Sequence, residues 1–247
     1  MKSMKYRFVA ILILLFALLS SVARAEREVG EGYAIPTYKE IYQTMTLLGA
    51  VDITNPKVAD EYARLMYCDQ YKQFFSNDIA WNKVRKEITD HVSERRQYYR
   101  IMYEVVGIFK LGRYNFEKQY FPFSADTAIK NVGSIPLFTQ LDYKPYCDDG
   151  GESTYFPSVV NLVLNRPLTL TQVDLPVDNI EKVLARMAET KNKERYLFGR
   201  VRFRVLDARL DQERRSSTAN LLGEVQAVDF FFDRDLTKLV ASVQIAH

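Results

Sequence analysis

The stretch YLFGRVRFRVL, residues 196–206, alternates with a period of two from Arg200 onward. Arg200, Arg202 and Arg204 fall on one side, and Val201, Phe203 and Val205 on the other. That is the pattern of a strand with one face in a core and one face polar. Side chains on the polar face recur about every 6.8 Å, so three guanidinium groups stand in a row. Such a row can read carboxylates or phosphates, and these three arginines are the candidate binding residues. The competing reading is a sheet face neutralised by cross-strand acids, with Glu224 as a partner.

Working outward, Glu224–Phe232 and Thr237–Ile245 read as a hairpin turning at Asp233, Arg234 and Asp235. Between strand and hairpin, the polar stretch Asp211–Asn220 reads as a mobile loop, and its Arg214 and Arg215 could extend the basic patch. Upstream, Asp178–Glu181 resembles a helix start, with Ile180, Val183, Leu184 and Met187 as its apolar face. Val159–Leu164 and Leu168–Val173 read as two strands joined through Asn165, Arg166 and Pro167, and residues 124–157 look irregular.

Further back, Tyr99, Ile101, Tyr103, Val105, Phe109 and Leu111 share one face of a strand, with Glu104 and Lys110 on the other. Tyr114 and Phe116 have the opposite parity, so Gly112 marks a bulge or turn. The aromatic content of Tyr98–Phe123 is mostly accounted for by this core face rather than by ligand stacking. Helical periodicity precedes the strand. Thr37 and Glu40 form a capping box, with a helix to about Leu48 ended near Gly49. Asn55 and Pro56 start a second helix, with Val58, Tyr62, Leu65 and Met66 at helical spacing up to about Phe75. Asn77 or Asp78 starts a third, with Trp81, Val84, Ile88 and His91 or Val92 as its stripe.

Helices first and strands later predict an α+β fold: N-terminal helices followed by an antiparallel sheet. A helix with a Glu-Arg end leads into a long strand twice, at Glu94–Tyr99 and Glu194–Tyr196, which raises a duplicated α-β-β unit with halves 37–125 and 126–247. The simpler division is one domain over 37–247 behind a flexible leader, 26–36.

The first 25 residues have the form of a cleavable export signal. Lys2, Lys5 and Arg7 precede the uncharged apolar run Phe8–Leu19, and Ala23 and Ala25 supply the small residues of a cleavage site. The run is shorter than the roughly 20 apolar residues that cross a bilayer, so no membrane span is expected after cleavage. The whole chain carries 34 basic and 31 acidic residues. Four basic and no acidic residues leave with the signal, so the excess of base leaves too, and net charge gives no support to a nucleic-acid partner. No Asn-X-Ser/Thr sequon occurs, which points to a bacterial source, and thus to the periplasm or the medium.

Cys68 and Cys147 are the two cysteines. In an oxidising compartment they suggest one disulfide, with two free thiols as the other reading.

Motifs of chemistry are missing from the sequence: G-x-S-x-G, S-x-x-K, phosphate-binding glycine loops and H-E-x-x-H do not occur. Residues 147–152 form a dense acidic loop without calcium-binding spacing. His91 and His247 are the only histidines, too few for a histidine metal site. The expectation is therefore an exported, non-enzymatic protein without cofactor or metal, binding an envelope protein or glycan. The alternative is a secreted hydrolase of a cell-wall or extracellular polymer that uses a pair of carboxylates.

Overall fold

The computed structural model describes residues 32–139, 153–189, 195–212 and 217–245. The N-terminal helices start where the caps predict. In α1 (Tyr38–Leu47) the Thr37 hydroxyl accepts from the Glu40 N–H at 3.3 Å, and Gly49, at φ +77°, turns the chain away. Asn55 caps α2 (Pro56–Met66) and Asn77 caps α4 (Asp78–Arg95). The second helix does not run unbroken to Phe75. Tyr67 leaves helical geometry at φ −130°, ψ 50°, and α3 (Cys68–Phe74) starts anew after it. Trp81, Ile88 and Val92 of α4 are buried. Asp60 of α2 ties α4 down by accepting from the Trp81 indole at 2.9 Å and from Arg85 at 3.3 Å.

The strands are β1 (Met102–Lys110), β2 (Tyr120–Pro122), β3 (Ile129–Phe138), β4 (Val159–Leu170), β5 (Gln172–Asp174), β6 (Tyr196–Gln212), β7 (Ser217–Phe231) and β8 (Leu239–Gln244), with α5 (Val177–Glu189) between β5 and β6. β2 and β5 form a small pair of their own. The main sheet runs β1-β6-β7-β4-β3, and β8 also pairs with β7. One side of β7 carries β6 along its length; the other is shared by β4, along Thr218–Gly223, and β8, along Ala227–Phe231. The fold is α+β as expected, but the sheet is mixed, because β4 and β7 are parallel.

Four other expectations are corrected. Residues 129–138, within the stretch read as irregular, are the edge strand β3, whose alternation is hidden by Gly133, Ser134 and Pro136. Asn165, Arg166 and Pro167 do not separate two strands. They lie inside β4, where pairing to β3 jumps from Val163 to Leu168, so the missing N–H of Pro167 breaks no ladder bond there. The expected mobile loop Asp211–Asn220 is mostly strand, since β6 extends to Gln212 and β7 begins at Ser217. The leader, expected to be flexible to Pro36, is held from Ala34 onward by bonds to Met102 and Glu104 of β1.

Tyr103, Phe109, Val201, Phe203, Val228 and Phe230 line the inner face of the sheet and are buried. α1 packs here, with the Thr44 hydroxyl hydrogen-bonded to that of Tyr103 at 2.5 Å. Burial pushes the Tyr103 phenol up to about 12, against the opposing Thr44 bond. Glu61 of α2 secures the entry to β4. Its carboxylate accepts the N–H groups of Thr154, Tyr155 and Phe156 at 2.7–2.9 Å, together with the Ser153 hydroxyl.

Gly199 leaves room for the Phe109 ring, which is itself hemmed in by Phe123 and Phe230 at 4.9 and 5.3 Å between centroids. A Cβ on Gly199 would stand 2.3 Å from that ring. Gly199→Ala should therefore destabilise the fold by about 1–3 kcal/mol through overpacking. Gly133→Ala, which meets nothing within 4 Å, should leave the urea midpoint almost unchanged. Equal midpoints for the two variants would refute this packing account.

Candidate functional site

The outer face of the sheet brings the three predicted arginines together, in the row that their spacing predicts. Glu104 of β1 lies opposite Arg202, and Val106 opposite Arg200. On the other side, Asp229 of β7 lies opposite Arg200 and Glu224 opposite Arg204. The Asp229 carboxylate accepts from Arg200 at 3.0 Å, from Arg202 at 3.1 Å and from the Ser242 hydroxyl of β8 at 2.7 Å. The fully buried Glu104 approaches Arg200 at 3.8 Å. The Arg200 guanidinium lies 4.9 Å from the Phe231 ring centroid, and that of Arg202 lies 5.5 Å from Tyr33. Tyr33 also donates to Gln226, so the first described residues reach over the cluster.

Exposure is graded along the row. The side chains of Arg200, Arg202 and Arg204 are 15%, 24% and 46% exposed. Two guanidinium groups are thus taken up by internal carboxylates. Arg204, paired to Glu224 at 3.5 Å, is the one that presents substantial surface. The cross-strand partner anticipated at Glu224 is present. The sequence places Glu104 on the polar face of its strand but does not pair it with the arginines, and it does not mark out Asp229, although both are acids set among apolar strand residues, in MYEVV and AVDFF.

The same face turns apolar towards the other end. Ile108, Phe198, Phe231 and Leu239 form one row across β1, β6, β7 and β8. Ile108 is 55% and Leu239 59% exposed, and Val106 beside them is also exposed. Tyr196 and Phe198 meet edge to face at 5.4 Å.

A second feature lies between α3 and α4: a groove of about 520 Å³. Tyr67, Phe74, Val84 and Ile88 give it apolar walls, and Gln70, Lys83, Glu87 and His91 give it polar groups. His91 is exposed rather than part of the buried stripe, whose position is taken by Val92. The groove brings no second carboxylate to Glu87. Among the described residues no group of His, Cys, Asp or Glu is placed to hold a metal ion. Cys68 opens α3, and no free cysteine is found among the described residues. Cys147, the acidic loop 147–152, Arg214 and Arg215 lie outside them.

Residues 55–186 match the family model described as Domain of unknown function (DUF4852). The chain belongs to the DUF4852 family. No curated protein and no solved structure matches it. The DUF4852 stretch contains α2, α3, α4 and β1 through β5, and therefore the whole groove. It ends before β6, so the arginine row, Asp229 and Leu239 lie beyond the stretch by which the chain joins the DUF4852 family, while Glu104, Val106 and Ile108 lie within it.

Removing Asp229 would leave two partly buried guanidinium groups facing each other. Asp229→Ala should cost about 3–5 kcal/mol, whereas Arg204→Ala should cost no more than about 1 kcal/mol because its ion pair is half in solvent. Urea unfolding of both variants checks this, and comparable losses would mean that the cluster is not the structural centre argued here.

Proposed function

We propose that this is an exported, non-catalytic protein of the cell envelope, working in the periplasm, that binds a protein partner through the outer face of its sheet. The observation that carries the reading is the apolar row Ile108, Phe198, Phe231 and Leu239, whose two ends stand exposed on a sheet face that continues into the arginine row. Exposed apolar surface bordered by polar groups marks interaction surfaces, and Arg204 supplies a cation at its far end. Aliphatic residues favour a protein over a glycan. The rings of Tyr196 and Phe198 meet edge to face and offer no flat platform for a sugar ring. The export signal of the first 25 residues supports the location, and no described helix is long and apolar enough to cross a membrane.

The carboxylate-dependent hydrolase has less support. Glu104 and Asp229 are the acids that converge, but both are buried and held by arginines. Neither lines the groove, a cavity in which a substrate could lie.

A disulfide between Cys68 and Cys147 belongs to the same proposal. Glu61 holds residues 153–156 against α2, about two helical turns before Cys68. Cys147 is six residues upstream of Ser153, within reach of α3 for an extended chain, which spans up to about 20 Å over that length.

Two measurements test this. Protein isolated from the envelope without reductant should have a mass that starts at Glu26 and is two hydrogens light. A mass starting at Met1 in the cytoplasmic fraction would remove the export reading. Photo-crosslinking from position 108 in cells should give one discrete adduct that is lost on Leu239→Glu and kept on Arg166→Glu, a change on an exposed position of β4. An adduct indifferent to Leu239→Glu would sink the sheet-face site.

A further inference from the structure

Four residues of α4 stand in one row along the helix: Ile79, Lys83, Glu87 and His91, each four residues after the last. Ile79, at the N-terminal end, is 86% exposed, and Phe75 beside it, just before the helix, is 43% exposed. Ile79 projects into solvent one residue before Ala80, which lines the α3–α4 groove, while Phe75 packs on Tyr71 and Trp81. At the other end of the row, His91 lines the groove together with Tyr67 and Gln70. Ile79 and His91 are twelve residues apart, about 18 Å along the helix axis.

The charge order of the row matters for what can cover it. Read forward it is cation then anion, Lys83 then Glu87. Reversed and laid against itself, Lys83 faces Glu87 and Glu87 faces Lys83. The same reversal sets each projecting Ile79 against the other copy's His91, where it lines the groove with Tyr67 and Gln70. Lys86 and Asp90 on the flank already satisfy each other at 2.6 Å, so they add no unpaired charge. A surface that complements itself on two-fold rotation is the requirement for an isologous dimer, and rows of residues four apart interdigitate in the commonest mode of helix packing.

We propose that the protein forms a homodimer through α4, antiparallel to α4 of a second copy, with the two-fold axis crossing at the level of Arg85 and each Ile79 seated in the other copy's groove. Lys83 pairs with Glu87 of the second copy twice, once on each side of the axis. The proposal goes beyond the sheet-face reading and stands on other residues, so either can fail alone.

The test is sedimentation velocity and native mass spectrometry on the protein expressed from the full 247-residue frame, at about 50 µM, where a dimer of micromolar affinity is well populated. The expected result is a dimer. Ile79→Glu should leave the urea midpoint unchanged, because the side chain is exposed, and should give a monomer. Lys83→Glu and Glu87→Lys should each raise the dimer Kd about ten-fold or more, since each creates two like-charge contacts across the axis. The double variant Lys83→Glu with Glu87→Lys should restore the Kd to within a few-fold of the unaltered protein. A monomer at that concentration, a dimer indifferent to Ile79→Glu, or a double variant as weak as the singles would each overturn the proposal.

Discussion

Asp229 stands under two guanidinium groups at the centre of four strands, and the register of those strands follows from keeping it there. Arg200 and Arg202 come from β6, Glu104 from β1 and Ser242 from β8, all gathered around one carboxylate of β7. A buried ion cluster adds little net stability compared with an apolar one, because desolvation offsets attraction. Its effect is on which arrangement survives. A slip of β7 by one residue would turn Asp229 towards Phe109 and Phe203 and carry Val228 or Phe230 out among the arginines. The apolar inner face and the charged outer face therefore exclude the same error from opposite sides. Edge positions are freer, and β3 carries its irregularities without disturbing that centre.

The parts of the fold legible in the sequence are those in which a short stretch contains its own partner. Thr37, Asn55 and Asn77 cap helices two or three residues away, and those helices begin as predicted. Asp233 closes the last hairpin by accepting from Thr237 and Lys238. Slight burial opposes ionisation of its carboxyl, but these bonds outweigh it and hold the pKa below the usual value. The face shared by Arg200, Arg202 and Arg204 also needs only local alternation. What stayed hidden depends on distant partners. Asp211–Asn220 looks like a loop by composition, yet Asp211 and Gln212 pair with Thr218 and Ser217 at the far end of a long ladder. The parallel pairing of β4 with β7 joins residues about sixty apart, and no local pattern announces its direction. Glu104 looked like an ordinary solvent-facing strand residue because the arginine covering it is supplied from β6, nearly a hundred residues on.

The two surfaces also differ in origin. The α3–α4 groove lies entirely in the stretch that places the chain in its family, while the charged half of the sheet face is built mainly from strands beyond it. The surfaces proposed for self-association and for partner binding thus draw on separate parts of the fold, one helical and one β, and share no residues.

The position of β6 and β7 in the chain has a consequence for how the molecule is assembled. They are the two longest strands and the middle of the main sheet, yet they follow β1, β3 and β4 in the chain. Until they exist, β1 is held along its edges at Ala34 and, through Lys110, by Ser124 and Thr127, and the β3–β4 hairpin has one side open. The first three quarters of the chain can form its helices but cannot close its sheet. Closure must then join β6 and β7 to strands that lie about sixty to a hundred residues earlier, which makes folding slow for a chain of this size. It also makes the β6–β7 pair the element without which β1 and the β3–β4 hairpin share no sheet.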